Sequence, residues 1–105
     1  MPEPVNRGLQ PLAEIDKLIH EPARLTIMSH LFVVEQADFL FLKNQTKLTW
    51  GNLSAHLSKL EAAGYVSIKK TYKKKKPYTI LKLTQKGRQV FKAYQKAMKG
   101  FFKGF

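Results

Sequence analysis

Residues 37–70 read ADFLFLKNQTKLTWGNLSAHLSKLEAAGYVSIKK, and this stretch decides the fold. Its first part predicts a short helix that Ala37 and Asp38 can cap, because an aspartate side chain accepts hydrogen bonds from the free N–H groups of a first helical turn. Thr49 has the same role before a second predicted helix over 50–63, which Gly64 ends by supplying a left-handed backbone. Two helices joined by a tight link predict a helix-turn-helix.

The second of these helices is amphipathic. Leu53, Leu57 and Leu60 repeat at i, i+4 and i+7, which predicts one buried seam. At 100° per residue, the opposite face carries small and polar side chains, namely Gly51, Asn52, Ser54, Ala55, Ser58 and Lys59. Small side chains let a helix backbone approach the edges of DNA bases. The alternative is a helix face that is merely solvated.

The hydrophobic period changes to two after Gly64. The runs 65–71 and 78–83 are rich in β-branched and aromatic residues and predict a pair of strands. The segment TYKKKKP joins them, and its four lysines must project into solvent. We therefore predict a two-stranded basic wing with its tip at 72–77. The alternative is a turn kept charged only to prevent pairing at a strand edge.

Two helices that open with proline are predicted upstream. Residues 1–10 predict an extended lead-in, and Pro11 begins a helix that ends before Pro22. Pro22 opens the next helix, whose broad apolar face belongs in the core. The apolar stripe of the first helix consists of Leu12, Ile15, Leu18 and Ile19.

A long C-terminal helix over about 85–103 follows a cap at Thr84. Its aromatic and methionine side chains are spaced 3, 4, 3 and 4 residues apart, which is typical of a short coiled-coil seam. The seam comprises Phe91, Tyr94, Met98, Phe101 and Phe105, supplemented by Phe102. It can fold back on its own domain or pair with a second copy. The basic residues of the same helix also allow an amphipathic helix on a membrane surface, which we do not favour because packing in a globular protein explains the seam without lipid. We favour a homodimer in which Leu12, Ile15 and Ile19 add to the seam.

The charge is unevenly distributed along the chain. The 105 residues carry a formal net charge of +12, from 19 Lys and Arg against 7 Asp and Glu. Residues 62–105 hold 13 basic side chains and no acidic one. One-signed clustering of this kind builds a field directed at a polyanion, and nucleic acid is the first candidate.

Composition sets further limits on the class of protein. A chain of this length with 44% hydrophobic residues predicts one domain, over 11–105. The absence of cysteine excludes disulfides, thiolate metal sites and cysteine nucleophiles. No apolar run approaches the roughly 20 residues that span a bilayer, and the N-terminus does not resemble a signal peptide. We expect a soluble, cytoplasmic protein.

The stretch 37–70, together with KPYTILKLTQKGRQVF at 76–91, resembles the small winged helix-turn-helix transcriptional regulators of MarR and ArsR type. The resemblance covers about residues 12–95. It implies an α+β, mainly α fold in which GNLSAHLSKLEAAGYV contains the recognition helix and LTQKGR joins the wing to the C-terminal helix. The cysteine-bearing motif of the metal-sensing members is missing here.

We therefore expect a dimeric, sequence-specific regulator of transcription, with repression as the default because a small domain blocks a promoter by occupying it. The recognition helix enters the major groove, and the wing lies on flanking backbone or minor groove. The predicted DNA-binding residues are Thr49, Trp50, Gly51, Asn52, Ser54, Ala55, Ser58, Lys59, Lys70, Tyr72, Lys73, Lys74, Lys75 and Lys76.

Three alternatives stay open. The chain can be an architectural protein bound by charge alone, or a winged-helix module for RNA or for another protein. A pocket between the dimerisation helices and the DNA-binding core can accept a small apolar effector. An enzyme is not expected, since no phosphate loop, nucleophile elbow, metal spacing or catalytic pair is present, and no cofactor is predicted.

Overall fold

The computed structural model describes residues 16–104 and contains four α-helices and a small antiparallel sheet of three strands in the order β1-β3-β2. The mainly helical winged helix-turn-helix architecture predicted from the sequence is confirmed. Within the described residues no helix is long and apolar enough to cross a membrane. The elements are α1 Pro22–Val33, β1 Ala37–Asp38, α2 Phe39–Thr46, α3 Trp50–Ala62, β2 Val66–Lys73, β3 Lys76–Leu83 and α4 Gln85–Lys103.

The helices begin where their capping residues stand. Pro22 occupies the first turn of α1, and the side chain of Glu21 accepts from the Arg24 N–H. Asp38, Thr49 and Thr84 accept in the same way at the starts of α2, α3 and α4. Each of these caps satisfies a backbone donor that the helix itself leaves free. The capping predictions for the three last helices are confirmed.

The segment before α1 is a single turn rather than a helix over residues 16–21. The His20 N–H donates to the Asp16 carbonyl at 2.9 Å, and the Leu18 N–H donates to the Asp16 carboxylate at 2.8 Å. Glu21 then takes an extended conformation, with φ −151°, because it caps α1. The predicted helix therefore does not continue to Pro22. Its beginning at Pro11 and the lead-in over 1–10 lie outside the described residues.

One hydrophobic core joins all the helices to the sheet. α1 is central to it, packing against α2, α3, β3 and α4. The leucine seam predicted for α3 is fully buried, as expected from its spacing. The buried apolar side chains are Ile19, Ile27, Met28, Leu31, Leu42, Leu53, Leu57, Leu60, Val66, Leu81, Leu83, Phe91 and Tyr94.

The wing differs from the prediction in two respects. The sheet has a third strand, since Ala37 and Asp38 pair with Leu81 and Ile80 of β3. The hairpin strands also continue further than expected, so that Lys73 pairs with Lys76 and only two residues form the tip. These two, Lys74 and Lys75, have φ values of 54° and 67°. The tip is therefore a tight turn and not a finger over 72–77.

The aromatic seam of α4 is divided between two environments. The Phe91 ring packs 4.8 Å from that of Phe32, and the Tyr94 hydroxyl lies 3.0 Å from His20 Nδ1. Phe91, Tyr94 and Ile19 are buried within the chain itself. This corrects their assignment to a surface between subunits, because a side chain covered by its own domain has no area left for a partner.

The remaining seam residues lie further along α4 or outside the described part of the chain. Met98 is half-buried, whereas 63% of Phe102 is exposed, and the two rings of Phe101 and Phe102 are 5.2 Å apart. Leu12, Ile15 and Phe105, the other predicted dimer contacts, fall outside residues 16–104. Among the predicted dimer contacts within residues 16–104, Met98, Phe101 and Phe102 are thus the ones that are not fully buried in the chain.

A junction around Tyr65 fixes the start of α4 against the end of α3. The Tyr65 carbonyl accepts from the Thr84 N–H at 3.0 Å, and the Thr84 hydroxyl donates to the Gly64 carbonyl at 2.6 Å. The Tyr65 hydroxyl donates to the Asp16 carboxylate. Burial first, then this hydrogen bond and the charge of Asp16, raise the pKa of Tyr65 to about 12.

Candidate nucleic-acid interface

α2 and α3 form the predicted helix-turn-helix. Three residues, 47–49, connect the helices, and Lys47 makes the bend with a left-handed φ of 62°. Its N–H still donates to the Lys43 carbonyl at 3.0 Å, which ends α2 cleanly. α3 ends one residue before the predicted boundary, and Gly64 follows with the expected positive φ of 82°.

The outer face of α3 has the polarity that the sequence predicts. With Leu53, Leu57 and Leu60 in the core, the side chains opposite them point into solvent. All six residues singled out for this face are exposed, namely Gly51, Asn52, Ser54, Ala55, Ser58 and Lys59. Five of these six residues are no larger than asparagine, and Lys59 alone is long, so most of the helix backbone on this face is open to close approach.

An aromatic stack supports the N-terminus of α3. The Trp50 ring lies 5.5 Å from that of Phe39, with an angle of 21° between the planes, and Lys43 Nζ is 5.3 Å from the centre of the Trp50 ring. Trp50 is still 52% exposed. The indole of Trp50 therefore packs against Phe39 on one side and is still accessible to a partner on another. Thr49 beside it is exposed and caps α3.

Arg24 ties α3 to the segment that precedes α1. Its Nε donates to the Leu18 carbonyl at 2.6 Å, and its Nη1 lies 3.1 Å from His56 Nδ1. Glu21 Oε1 is 4.0 Å from the same imidazole nitrogen. The imidazole of His56 thus makes its contacts within the chain, with Arg24 and Glu21. The sequence analysis missed Arg24, because no local pattern connects residues 32 positions apart.

The wing presents a dense set of cations. Lys70, Tyr72 and the four lysines from 73 to 76 are exposed, and 75% of the Tyr72 side chain is accessible. Lys73 Nζ lies 5.1 Å from the centre of the Tyr78 ring. Among residues 16–104 no lysine or arginine forms an ion pair with a carboxylate. The charge of the wing is therefore not neutralised within the described part of the chain.

α3 and the wing enclose a cleft of about 560 Å³ between them. The side chains that line it come from α2, α3 and both hairpin strands, and they are Phe39, Ser54, Leu57, Ser58, Glu61, Ile68, Lys70 and Thr79. β1 holds this arrangement together, because it joins the start of α2 to β3. Of the predicted DNA-binding residues, Ser54 and Ser58 of α3 and Lys70 of the wing line this cleft together.

The described residues contain no cluster of His, Asp and Glu that could hold a metal ion. A second open cleft, of about 650 Å³, lies at the junction of α1, β3 and α4. Phe32, Val33 and Leu83 give it apolar walls, and Lys82 and Arg88 lie beside them. This is the region between DNA-binding core and C-terminal helix for which the sequence analysis raised a small effector.

Comparison with known proteins gives a consistent result. The family model described as winged helix DNA-binding domain matches residues 23–102. An uncharacterised protein of Methanocaldococcus jannaschii is 42% identical over 78 residues, which are 74% of this chain and 85% of that protein. The winged helix-turn-helix domain predicted from the sequence is thereby confirmed, and solved structures of transcriptional regulators, one of them of the MarR family at 19% identity, share the fold.

Two of those solved structures bear most directly on the site. A transcriptional regulator homologue from Pyrococcus horikoshii OT3 is 30% identical with a TM-score of 0.85, and the match covers 90% of this chain and 96% of that one. The transcriptional repressor CouR, solved bound to a 23-mer DNA duplex, is 21% identical with a TM-score of 0.70. That match covers 91% of this chain and 65% of CouR, and it shows a shared fold alone.

Proposed function

This chain belongs to the winged helix DNA-binding domain family and is a DNA-binding transcriptional regulator, and from that premise we propose that it acts in the cytoplasm as a homodimeric repressor of specific promoters. α3 reads the sequence in the major groove, and the wing holds the backbone beside it. The observation that carries this proposal is the exposed, small and polar face of α3 next to a wing whose cations have no acidic partner among the described residues.

The reading function belongs to the outer face of α3. Asn52 is the side chain best able to make two hydrogen bonds to an adenine, and Lys59 suits a guanine or a phosphate. Ser54 and Ser58 border the cleft toward the wing and can meet bases or phosphates. Thr49 and Trp50 stand at the start of the helix, where a hydroxyl, a backbone N–H and an indole N–H can donate to one phosphate.

The wing supplies affinity rather than sequence discrimination. Its lysines are point charges without fixed hydrogen-bond geometry, so they neutralise phosphates whatever the bases are. Lys70, Tyr72 and Lys73 belong to β2, Lys74 and Lys75 form the tip, and Lys76 begins β3. Repression needs no further domain, because occupancy of a promoter is itself an obstacle to transcription.

Dimerisation is assigned to the distal half of α4. Met98, Phe101 and Phe102 present apolar area there, and Leu12, Ile15 and Phe105 are the residues we expect to join them. A pair of α3 helices about 34 Å apart would read two half-sites on one face of the duplex. A pseudo-palindromic target is the direct consequence.

The test is selection of bound duplexes from a random-sequence pool at two salt concentrations, with the molar mass in solution measured alongside. We expect an inverted repeat with half-sites about ten base pairs apart and the mass of a dimer. Recovery of no motif, with binding that collapses as salt rises, would indicate an architectural protein instead. Tighter binding to RNA or to another protein would indicate a winged-helix module for that partner instead.

A small apolar effector is a further part of this proposal. The cleft between α1, β3 and α4 has apolar walls from Phe32, Val33 and Leu83, with the charged side chains of Glu35, Lys82 and Arg88 beside them, which can hold an aromatic ligand that carries polar groups. A thermal-shift screen with phenolic compounds checks it. Unchanged melting across the series would remove the effector from the proposal and leave DNA binding untouched.

A further inference from the structure

A hydrogen bond between Arg24 and His56 connects α3 to the start of α1. Arg24 Nη1 lies 3.1 Å from His56 Nδ1, while Arg24 Nε donates to the Leu18 carbonyl at 2.6 Å. The guanidinium is therefore held by the backbone on one side and faces the imidazole with the other. Among residues 16–104, no other side-chain hydrogen bond joins α3 to another element.

His56 lies at the boundary between the buried seam of α3 and its outer face. At 100° per residue, Leu53 and Leu60 are about 60° and 40° from it on the buried side. Asn52 and Lys59 are about 40° and 60° from it on the exposed side. The side chain of His56 is accordingly only 21% exposed. A contact that fixes His56 thus also fixes the rotation of the face that carries the two residues proposed to contact bases.

This hydrogen bond adds direction to a packing contact that is otherwise apolar. α3 packs on α1 and β2, and its three leucines are buried in the core. Apolar burial is non-directional, whereas a hydrogen bond weakens steeply when its angle changes. A binding site on DNA requires side chains held within about 0.5 Å of their working positions. The bond to Arg24 supplies such a constraint on α3.

The geometry determines which form of His56 can make this bond. A guanidinium has five N–H donors and no acceptor, and it stays charged in proteins. Nδ1 must therefore offer its lone pair to Arg24, so the imidazole in this arrangement is the neutral one. A proton on Nδ1 would remove the acceptor and place a second positive charge beside the guanidinium.

Glu21 can accept the imidazole once it is protonated. Its Oε1 lies 4.0 Å from His56 Nδ1, and the same oxygen accepts from the Arg24 N–H at 2.7 Å as the cap of α1. A protonated His56 would therefore exchange Arg24 for Glu21. That exchange breaks the connection between α3 and Arg24 while both helices keep their own backbone hydrogen bonds.

The other charged groups near α3 lie elsewhere around it. On α3 itself, Lys59 is three residues after His56 and is exposed. From β2, Lys70 lines the cleft of the wing together with Glu61, which is about 140° around α3 from His56. The two other lysines of β2 alternate with Lys70 and belong to the opposite face of that strand. The charges that face the imidazole are therefore the two at the start of α1.

We propose that Arg24 is a positioning residue for DNA recognition by α3, and that it acts through a neutral His56. The inference rests on the proposed function, since it requires that α3 reads bases. Neutral His56 holds α3 at the rotation that brings Asn52 and Lys59 to the base edges. Protonation releases that constraint while the wing still binds phosphates. The protein then keeps its affinity for DNA and loses its preference for one sequence.

The experiment measures, in the full chain, the ratio of the dissociation constants for an unrelated duplex and for the selected duplex. Anisotropy gives both constants between about pH 5.5 and pH 8, where imidazole changes its charge. His56→Asn keeps an acceptor where Nδ1 stood but does not titrate. Arg24→Met removes the donor and keeps an unbranched side chain. His30→Asn is the matched control, since the His30 ring packs edge-on against Phe41 of α2.

In the unaltered protein and in His30→Asn, we expect the ratio to fall about tenfold between the upper and the lower pH. In His56→Asn the ratio should stay within about twofold of its upper value over the whole range. Arg24→Met should show the low ratio at every pH, with nearly unchanged affinity for the unrelated duplex. A ratio that fell with pH in His56→Asn as in the unaltered protein, or a full ratio in folded Arg24→Met, would overturn the assignment.

Two further outcomes separate this inference from the proposed function. If the unaltered protein preferred no sequence at any pH, α3 would not read bases, and the proposed function would fail together with the inference. If it preferred one sequence equally at every pH, the proposed function would stand and the role of Arg24 and His56 would be refuted. Circular dichroism checks that each variant folds. Should Arg24→Met lose its helices, the pH profiles of the unaltered protein and of His56→Asn decide the question.

Discussion

Gly87 of α4 lies against Tyr65, and a Cβ added to Gly87 would stand 2.0 Å from the Tyr65 carbonyl oxygen. The same carbonyl accepts the Thr84 N–H, so it cannot turn away without loss of that hydrogen bond. The atom beside Gly87 is thus a backbone oxygen, which cannot move aside as the end of a side chain can. The close approach of the two segments sets the direction in which α4 leaves the sheet.

Gly87→Ala should therefore destabilise the fold although alanine favours helices. The overlap with a fixed carbonyl is expected to cost about 1–3 kcal/mol of unfolding free energy. Gly100→Ala is the matched control in the same helix, since no atom lies within 4 Å of a Cβ there. That control should gain about 0.5–1 kcal/mol. Urea denaturation followed by circular dichroism measures both, and equal shifts of one sign would contradict the packing argument.

Two variants test whether α3 recognises the sequence while the wing binds phosphates. Asn52→Ala should reduce the preference for the selected sequence by about 1–3 kcal/mol and leave binding to unrelated duplexes nearly unchanged. Alanine at all four positions from Lys73 to Lys76 should weaken binding to every duplex and flatten the salt dependence. Gln89→Ala, on α4, controls for loss of an exposed amide. If both variants changed specificity and nonspecific affinity alike, sequence recognition would not belong to α3 and phosphate binding would not belong to the wing.

The wing tip carries backbone strain that a substitution can relieve. Lys74 and Lys75 both have positive φ, which a two-residue type I′ hairpin requires and which Asn-Gly adopts at low cost. Lys74→Asn with Lys75→Gly should raise the free energy of unfolding by about 1 kcal/mol or more. Lys69→Gln with Lys76→Gln removes the same charge outside the turn and should leave stability within about 0.5 kcal/mol. Thermal melting distinguishes relief of strain from relief of charge repulsion.

Tyr65 makes stability depend on alkaline pH. Because burial and then Asp16 raise its pKa from 10.0 to about 12, the folded state keeps a proton that the unfolded state releases. Stability should therefore fall as pH rises through this interval. Phenolate absorbance should show Tyr65 titrating at lower pH in Asp16→Asn, although above 10.0 because burial persists. Asp38→Asn, which removes a carboxylate that caps α2 instead, should leave the absorbance curve in place.

Much of this fold could be predicted from local signals. Asp38, Thr49 and Thr84 each precede the helix that they cap, and the leucines of α3 follow one face. The two residues of β1 escaped prediction because they carry no period and exist as a strand only through pairing with β3. The short turn at the wing tip escaped it because Lys-Lys is not a usual type I′ pair.

The candidate site was also predictable only in part. Periodicity identified the outer face of α3, since burial of one face fixes the other. It could not tell which part of the α4 seam the chain itself covers, because Phe91 and Met98 have the same spacing and differ only in what lies opposite. Arg24 and His56 meet through tertiary packing alone.

The pairing of β1 with β3 has a consequence for the length of the target. This strand joins the start of the helix-turn-helix to the wing. The outer face of α3 and the wing therefore stay at a fixed distance from each other. The phosphates that the wing contacts must then lie a fixed number of base pairs from the bases that α3 reads. Because the wing contacts phosphates whatever the bases are, a base pair inserted beside the bases read by α3 only brings a different phosphate to the wing, so the footprint has a fixed length and its flanking bases are free to vary.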